Sequence, residues 1–169
     1  ASLAALDRES AAGAAWRHQA HAAVSLAKVA PARAATVVQR LAASPTWQAR
    51  VYAANAAKLL KDSATLRALA VDTEPNVAIA AMTTREQAIR ALRSNHAGLA
   101  LAAAAQLKGD AALVSALPQL RAAFDRFTAM ERVSLRDPRA ALLERVGEAA
   151  DGPSTIWLRE RLTDADPAI

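Results

Sequence analysis

Histidines, paired carboxylates, tryptophans and a series of arginines are the residues of this chain whose types and spacing could do chemistry. His18 and His21 stand three apart, a spacing that lets two imidazoles on one helix share a metal ion, and His96 is a third candidate ligand. Metal motifs, however, add a carboxylate or a further ligand at a defined distance, and no Asp, Glu or Cys lies near the pair in sequence. The chain has no cysteine at all, which removes thiolate ligands, disulfides and cysteine nucleophiles. Neither a metal nor a cofactor is expected.

Asp72 with Glu74, and Asp164 with Asp166, are spaced like carboxylate pairs for acid–base work. Both pairs sit where a helix should begin, so they read as N-terminal caps: the side chain of Asp72 would accept a backbone N–H of the incoming helix, and Glu74 would face the positive end of its dipole. The same chemistry repeated at successive joints is scaffolding. Trp16, Trp47 and Trp157 could stack on nucleobases, but each falls within an apolar stripe and reads as packing. The glycines, Gly13, Gly98, Gly109, Gly147 and Gly152, are isolated, so no phosphate loop or dinucleotide fingerprint is present, and no serine hydrolase motif is found. No catalytic residue is assigned, and the chain is expected not to be an enzyme.

The arginines point to a partner. If the second helix of each successive pair lines one surface, then Arg33, Arg40, Arg67, Arg85, Arg90 and Arg93 project from neighbouring rungs toward a common groove. Such a basic ladder would take phosphates or acidic segments of a protein; the alternative is a solvated helix face, since arginine is also a good exposed helix former. The overall charge of +5 is unevenly spread. From Ser10 to Lys61 there is no acidic residue, whereas acids outnumber bases from Asp137 onward.

The elements that must carry these residues follow from composition. Alanine is abundant, glycine scarce and aromatic content only 4%, a balance that favours helices close enough to bury small side chains. The apolar runs are broken by charges before they could span a bilayer, so no membrane insertion is expected. A frayed first helix over residues 2–12 should precede a helix over Ala14–Ala30, and Pro31 should open the next. Ser44-Pro45 should cap a long helix burying Trp47, Val51, Ala54, Leu59 and Leu60. Pro118 predicts a kink or split in the long segment 110–136. Gly152-Pro153-Ser154 reads as a turn before a last helix offering Ile156, Trp157, Leu158 and Leu162.

LRALAVDTEPNV at Leu66–Val77 returns without gaps as LRERLTDADPAI at Leu158–Ile169, an offset of 158 − 66 = 92, or about three units of roughly 30 residues. A leucine-rich helix end, then Asp-x-Asp/Glu-Pro-x-Val/Ile, then an alanine-rich helix, resembles HEAT-type repeats, carried here by Leu66, Leu69, Asp72, Glu74, Pro75, Val77, Ala80 and Ala81, and by Leu158, Leu162, Asp164, Asp166, Pro167 and Ile169. The resemblance implies an all-α, right-handed α-solenoid of stacked antiparallel helix pairs, about five units over 1–169, with an irregular longer unit at 110–136. The arginine that usually follows the joint in that family is absent, Ala78 and Ile79 standing there while Arg50 and Arg139 partly supply it elsewhere, so a ladder of Asp–Arg pairs between repeats is not expected. SLRDPRAALL at Ser134–Leu143 is also similar to HEAT segments found beside cyclophilin-type prolyl isomerase domains, which would make this chain an accessory region whose catalytic partner domain lies elsewhere.

The expected function is therefore a non-catalytic protein-interaction scaffold, a bacterial HEAT-repeat fragment whose final joint announces a helix beyond Ile169. Its partner would be another protein or peptide, with nucleic acid as the second class and end-to-end self-association through uncapped termini as a third contact. The compartment is open: cytoplasmic by default, exported if a signal preceded Ala1.

Overall fold

The computed structural model describes residues 2–130 and 137–162. The second copy of the joint, at Asp164, Asp166, Pro167 and Ile169, and residues 134–136 of the second resemblance lie outside them. The regular structure of the described residues is entirely helical, as composition requires. The chain divides into two compact units, Ala1–Ala81 and Met82–Ile169.

The first unit contains α1 (Leu3–Glu9), α2 (Trp16–Val29), α3 (Pro31–Ala42), α4 (Trp47–Leu60), α5 (Ser63–Leu69) and α6 (Pro75–Ala81). The first helix is a formed element: Ser2 accepts the Ala5 N–H at its start, and Leu6 is buried where α1 packs on α2. Further on, α2, α4 and α6 make a row, α4 touching both of the others, while α3 packs across α2 and α4, and α5 across α4 and α6. Pro31 stands at the first position of α3, where its missing N–H has no partner to lose. Ser44-Pro45 does not start α4. The Ser44 hydroxyl instead accepts the Thr46 N–H at 3.2 Å, and the helix begins two residues later at Trp47.

Helix α4 is the hub of this unit, and its core side is alanine. Ala49, Ala53, Ala56 and Ala57, spaced i, i+4, i+7, i+8, are fully buried together with Ala54. A side chain that ends at Cβ lets neighbouring backbones approach closely, so four helices can pack around one. Leu26, Val37, Val38, Leu41, Leu66, Leu69 and Val77 then supply the bulk from the surrounding helices. Of the expected stripe, Ala54 is buried and Val51 and Leu60 pack against the core, but two members are corrected: Trp47 is 38% and Leu59 45% exposed. They lie on the opposite side of α4 because the side with neighbours has no room for them.

α2 and α4 lie in register. Each has 14 residues and opens on tryptophan, Trp16 and Trp47. Their sixth residues, His21 and Tyr52, meet edge to face with ring centroids 5.0 Å apart. The offset is the same in both cases, 47 − 16 = 31 and 52 − 21 = 31.

The second unit contains α7 (Arg85–Ala91), α8 (Ala97–Gln106), a 3₁₀ turn (Leu113–Ala116), α9 (Leu117–Ala129), α10 (Arg139–Glu148) and α11 (Gly152–Arg159). α8 packs on α7 and α10, and α10 on α9 and α11, around Leu92, Leu107, Leu120, Phe124, Leu142 and Val146. The expected break at Pro118 is present: the chain passes through the 3₁₀ turn and restarts as α9, with proline in the first helical turn. Gly109 takes a φ of 68° between α8 and that turn, a conformation with little steric cost for glycine. Gly152-Pro153 is a helix start, not a turn before one, because Asp151 accepts the Ser154 N–H at 2.9 Å and so caps α11 at Gly152. Trp157 and Leu158 pack against the core, whereas Ile156 is 63% and Leu162 84% exposed.

Candidate partner-binding surfaces

The six arginines of the expected ladder lie three in each unit. In the first, Arg33 on α3 is exposed and pairs with Asp7 of α1 at 2.6 Å. Arg40, near the end of α3, reaches the carbonyl of Ser10 and donates from Nε to the Gln19 side-chain oxygen at 3.0 Å. Arg67 on α5 is exposed. In the second unit, Arg85 at the start of α7 pairs with Asp110 at 2.7 Å and also donates to Ala112 carbonyl and Ser115 hydroxyl oxygens. Arg90 and Arg93 are exposed. Arg33, Arg40 and Arg85 thus join distant turns of the chain, and Arg67, Arg90 and Arg93 are free of ion pairs among the described residues.

Asp–Arg pairing does occur between successive turns, contrary to the expectation drawn from the missing arginine. Arg50, one of the two arginines named for this role, pairs from the first turn of α4 with Asp72, the other, Arg139, pairs with Asp137 two residues before it, and Arg85 at the start of α7 pairs with Asp110. Asp72 does not itself cap α6, the role expected from sequence; it shapes the turn ahead of that helix and ties it to α4. Both its oxygens face Arg50, and one also accepts the Glu74 N–H at 2.9 Å, which turns the chain toward α6. Hydrogen bonding from Arg50, then from the Glu74 N–H, together with the guanidinium charge, holds the Asp72 carboxyl below the usual carboxylate range against the opposing effect of burial. Arg50 is correspondingly raised by the same contact.

His18 and His21 are exposed on α2, the latter against Tyr52, and His96 caps α8 by accepting the Leu99 N–H at Nδ1. Trp157 is enclosed by its own unit, with the Arg161 guanidinium 3.9 Å from its ring centroid and Phe124 edge-on to it.

One surface escaped the sequence reading. On α4, Trp47, Asn55, Lys58 and Leu59 are exposed, and Val51 and Tyr52 partly so. Beside it on α2, Arg17, His18, His21, Ser25, Lys28 and Val29 are exposed. Lys58 is exposed as a residue, yet partial desolvation of its ammonium lowers its pKa. The 31-residue offset of Trp16 and Trp47 was the available signal, but few identities accompany it, and the large residues of α4 read more simply as core.

Among the described residues, no helix is long and apolar enough to cross a membrane, and no group of three or more His, Cys, Asp or Glu side chains is gathered to hold a metal. In fold class the chain is an all-α protein. No protein-family model, no curated protein and no solved structure matches it.

Proposed function

We propose that this chain is a non-catalytic interaction module, built as a HEAT-like array of stacked helix pairs and serving to present a helix-lined surface to another protein. The observation that carries the reading is the arrangement of the first unit, in which alternate helices α2, α4 and α6 form a row while α3 and α5 pack across it. A row of this kind exposes one face of each helix side by side, and successive pairs extend it without redesigning the core. In α4 the large apolar residues Trp47 and Leu59 are kept on that outward face while alanines fill the inner one, a division that serves recognition better than stability.

A second reading, nucleic-acid binding, is favoured by the run from Ser10 to Lys61 without an acidic residue and by exposed Arg67, Arg90 and Arg93. The deciding experiment immobilises the chain, exposes it to extract of the source cells with and without nuclease, and washes at about 200 mM salt, where phosphate contacts alone weaken steeply. Stoichiometric recovery of a defined protein that survives nuclease supports the interaction module. Retention of duplex DNA, or loss of every bound protein on nuclease treatment, overturns it in favour of the second reading.

A further inference from the structure

The outward sides of α2 and α4 join two features that rarely coincide by chance on a surface. The first is apolar. At 100° per residue, positions 47, 51, 55, 58 and 59 occupy about a third of the circumference of α4, opposite the buried alanines. Trp47 and Leu59 stand exposed toward the two ends of this face, Val51, partly buried against the core, lies between them, and Tyr52 borders the face through its contact with His21. Isolated exposed apolar side chains are ordinary, but here three large ones, Trp47 and Leu59 on α4 and Val29 on α2, are left exposed on two neighbouring helices.

The second feature is charge of one sign. Arg17 and Lys28 on α2 and Lys58 on α4 are exposed, and neither helix contains a carboxylate. Lys28 and Lys58 lie in last turns, where a cation also interacts favourably with the helix dipole. That role does not require the aromatic and aliphatic neighbours, nor does it place Arg17, which sits over Trp16 at the opposite end of α2. Because the two helices run in register, the cations at both ends and the apolar side chains between them belong to one surface roughly 20 Å long at 1.5 Å per residue.

We propose that the outward faces of α2 and α4 form a docking surface for an acidic peptide segment bearing large apolar side chains, with Trp47, Val51 and Leu59 receiving the apolar residues and Arg17, Lys28 and Lys58 facing the carboxylates. The inference rests on the interaction-module reading and specifies its partner. Charge complementarity selects an acidic occupant. The aliphatic members, Val29, Val51 and Leu59, select a protein over a nucleic acid, whose backbone offers them no apolar counterpart.

The test uses fluorescence anisotropy with labelled peptides of about 15 residues, a length that spans the surface. One probe mixes Asp and Glu with Leu and Phe; a second replaces its Leu and Phe by Ser; a third replaces its acids by Lys; a fourth is an oligothymidylate. The first is expected to bind at least roughly tenfold more tightly than the others, and Trp47→Ala and Lys58→Glu should each weaken it by roughly tenfold, as anchor residues do. Lys108→Glu, a change at an exposed cation in the other unit, should leave it unchanged. Both tested positions are exposed, and thermal melts monitored by circular dichroism should match those of the parent, so lost binding is not lost folding.

Equal affinity for the serine-substituted peptide or the oligothymidylate would overturn the proposal in favour of a simple polyanion surface. Binding abolished by Lys108→Glu but not by Trp47→Ala or Lys58→Glu would overturn this surface while leaving the interaction module standing. No binding by the first peptide, alongside a protein recovered from extract, would do the same. Sedimentation that shows a dimer dissociated by Trp47→Ala would assign the face to a second copy of the chain instead.

Discussion

Arg50 and Asp72 form a two-armed fork, Nε to Oδ2 at 2.7 Å and Nη2 to Oδ1 at 2.9 Å, while Nη1 of the same guanidinium donates to the Ser44 carbonyl at 2.9 Å. One side chain thereby ties the connection entering α4 to the connection entering α6. Gln19 does similar work on α2: its amide donates to the Ala12 and Ala14 carbonyls ahead of α2, and its oxygen accepts from Arg40 near the end of α3. The two residues are separated by 50 − 19 = 31 positions, the same offset as the tryptophans and the His21–Tyr52 pair. Different chemistry at an equivalent place serves a related need, that of holding an entry loop to a later part of the chain.

Replacing Asp72 by Asn keeps an acceptor for the Glu74 N–H and removes the charged fork. Hydrogen bonds to charged groups contribute about 1.5–3 kcal/mol, and this pair is largely shielded from solvent, so urea denaturation of Asp72→Asn should show a loss in that range. Arg50→Lys should lose a similar amount because an ammonium cannot supply the planar fork. The double variant should lose less than the sum of the two. A strictly additive pair would mean that the fork contributes nothing.

The same contact sets an acid limit. Asp72 is held low by Arg50 and the Glu74 N–H, and Asp62 by the Thr65 hydroxyl and N–H. With folded pKa values below the unfolded value near 3.9, these groups contribute stability that is full above that value and declines as pH falls through the folded ones. Urea midpoints should therefore be nearly level from neutrality to about pH 5 and drop below about pH 4. Asp72→Asn should make the decline shallower; an unchanged pH profile would show that the carboxylate is not linked to folding.

How far the fold was legible depended on what each signal recorded. Punctuation was readable: Pro31 opens α3, Pro118 breaks the 110–129 stretch, and Asp72-Thr73-Glu74-Pro75 leads into α6, because these residues act through their own backbone. Helix sides in α4 were not. Alanine fits a core and a surface alike, so Ala49, Ala53, Ala56 and Ala57 carried no weight against Trp47 and Leu59, and only the presence of four packed neighbours decides between the two stripes. The arginines were legible as abundant but not as placed. Whether a guanidinium is free, like Arg67, or engaged, like Arg40 and Arg85, depends on partners 20 to 30 residues away that one-dimensional spacing does not reveal.

Helix α4 should resist enlargement on one side and tolerate truncation on the other. Ala53→Leu or Ala56→Leu forces added methylenes against closely packed helices, and about 1–3 kcal/mol of stability should be lost to denaturant. Leu59→Ala removes as many carbons as those changes add, but from an exposed position, and its effect should stay within about 0.5 kcal/mol. The reverse order of sensitivities would place the core on the other face of the helix.

Gln87 offers the corresponding test in the second unit. Its side-chain oxygen accepts the Thr83 N–H at 2.7 Å and the Thr84 N–H at 2.9 Å, and the Thr84 hydroxyl accepts the Gln87 N–H in return, a capping box at the start of α7. α7 has only seven residues, so its end is a large part of it. Gln87→Ala leaves two backbone donors without their acceptor and should cost about 1–3 kcal/mol, with faster amide exchange at Thr83 and Thr84. Gln87→Glu preserves the acceptor and places negative charge at the positive end of the helix dipole, so it should fold at least as stably as the parent. If the two variants lose stability equally, the residue acts through its buried volume and not through the hydrogen bonds that begin the helix.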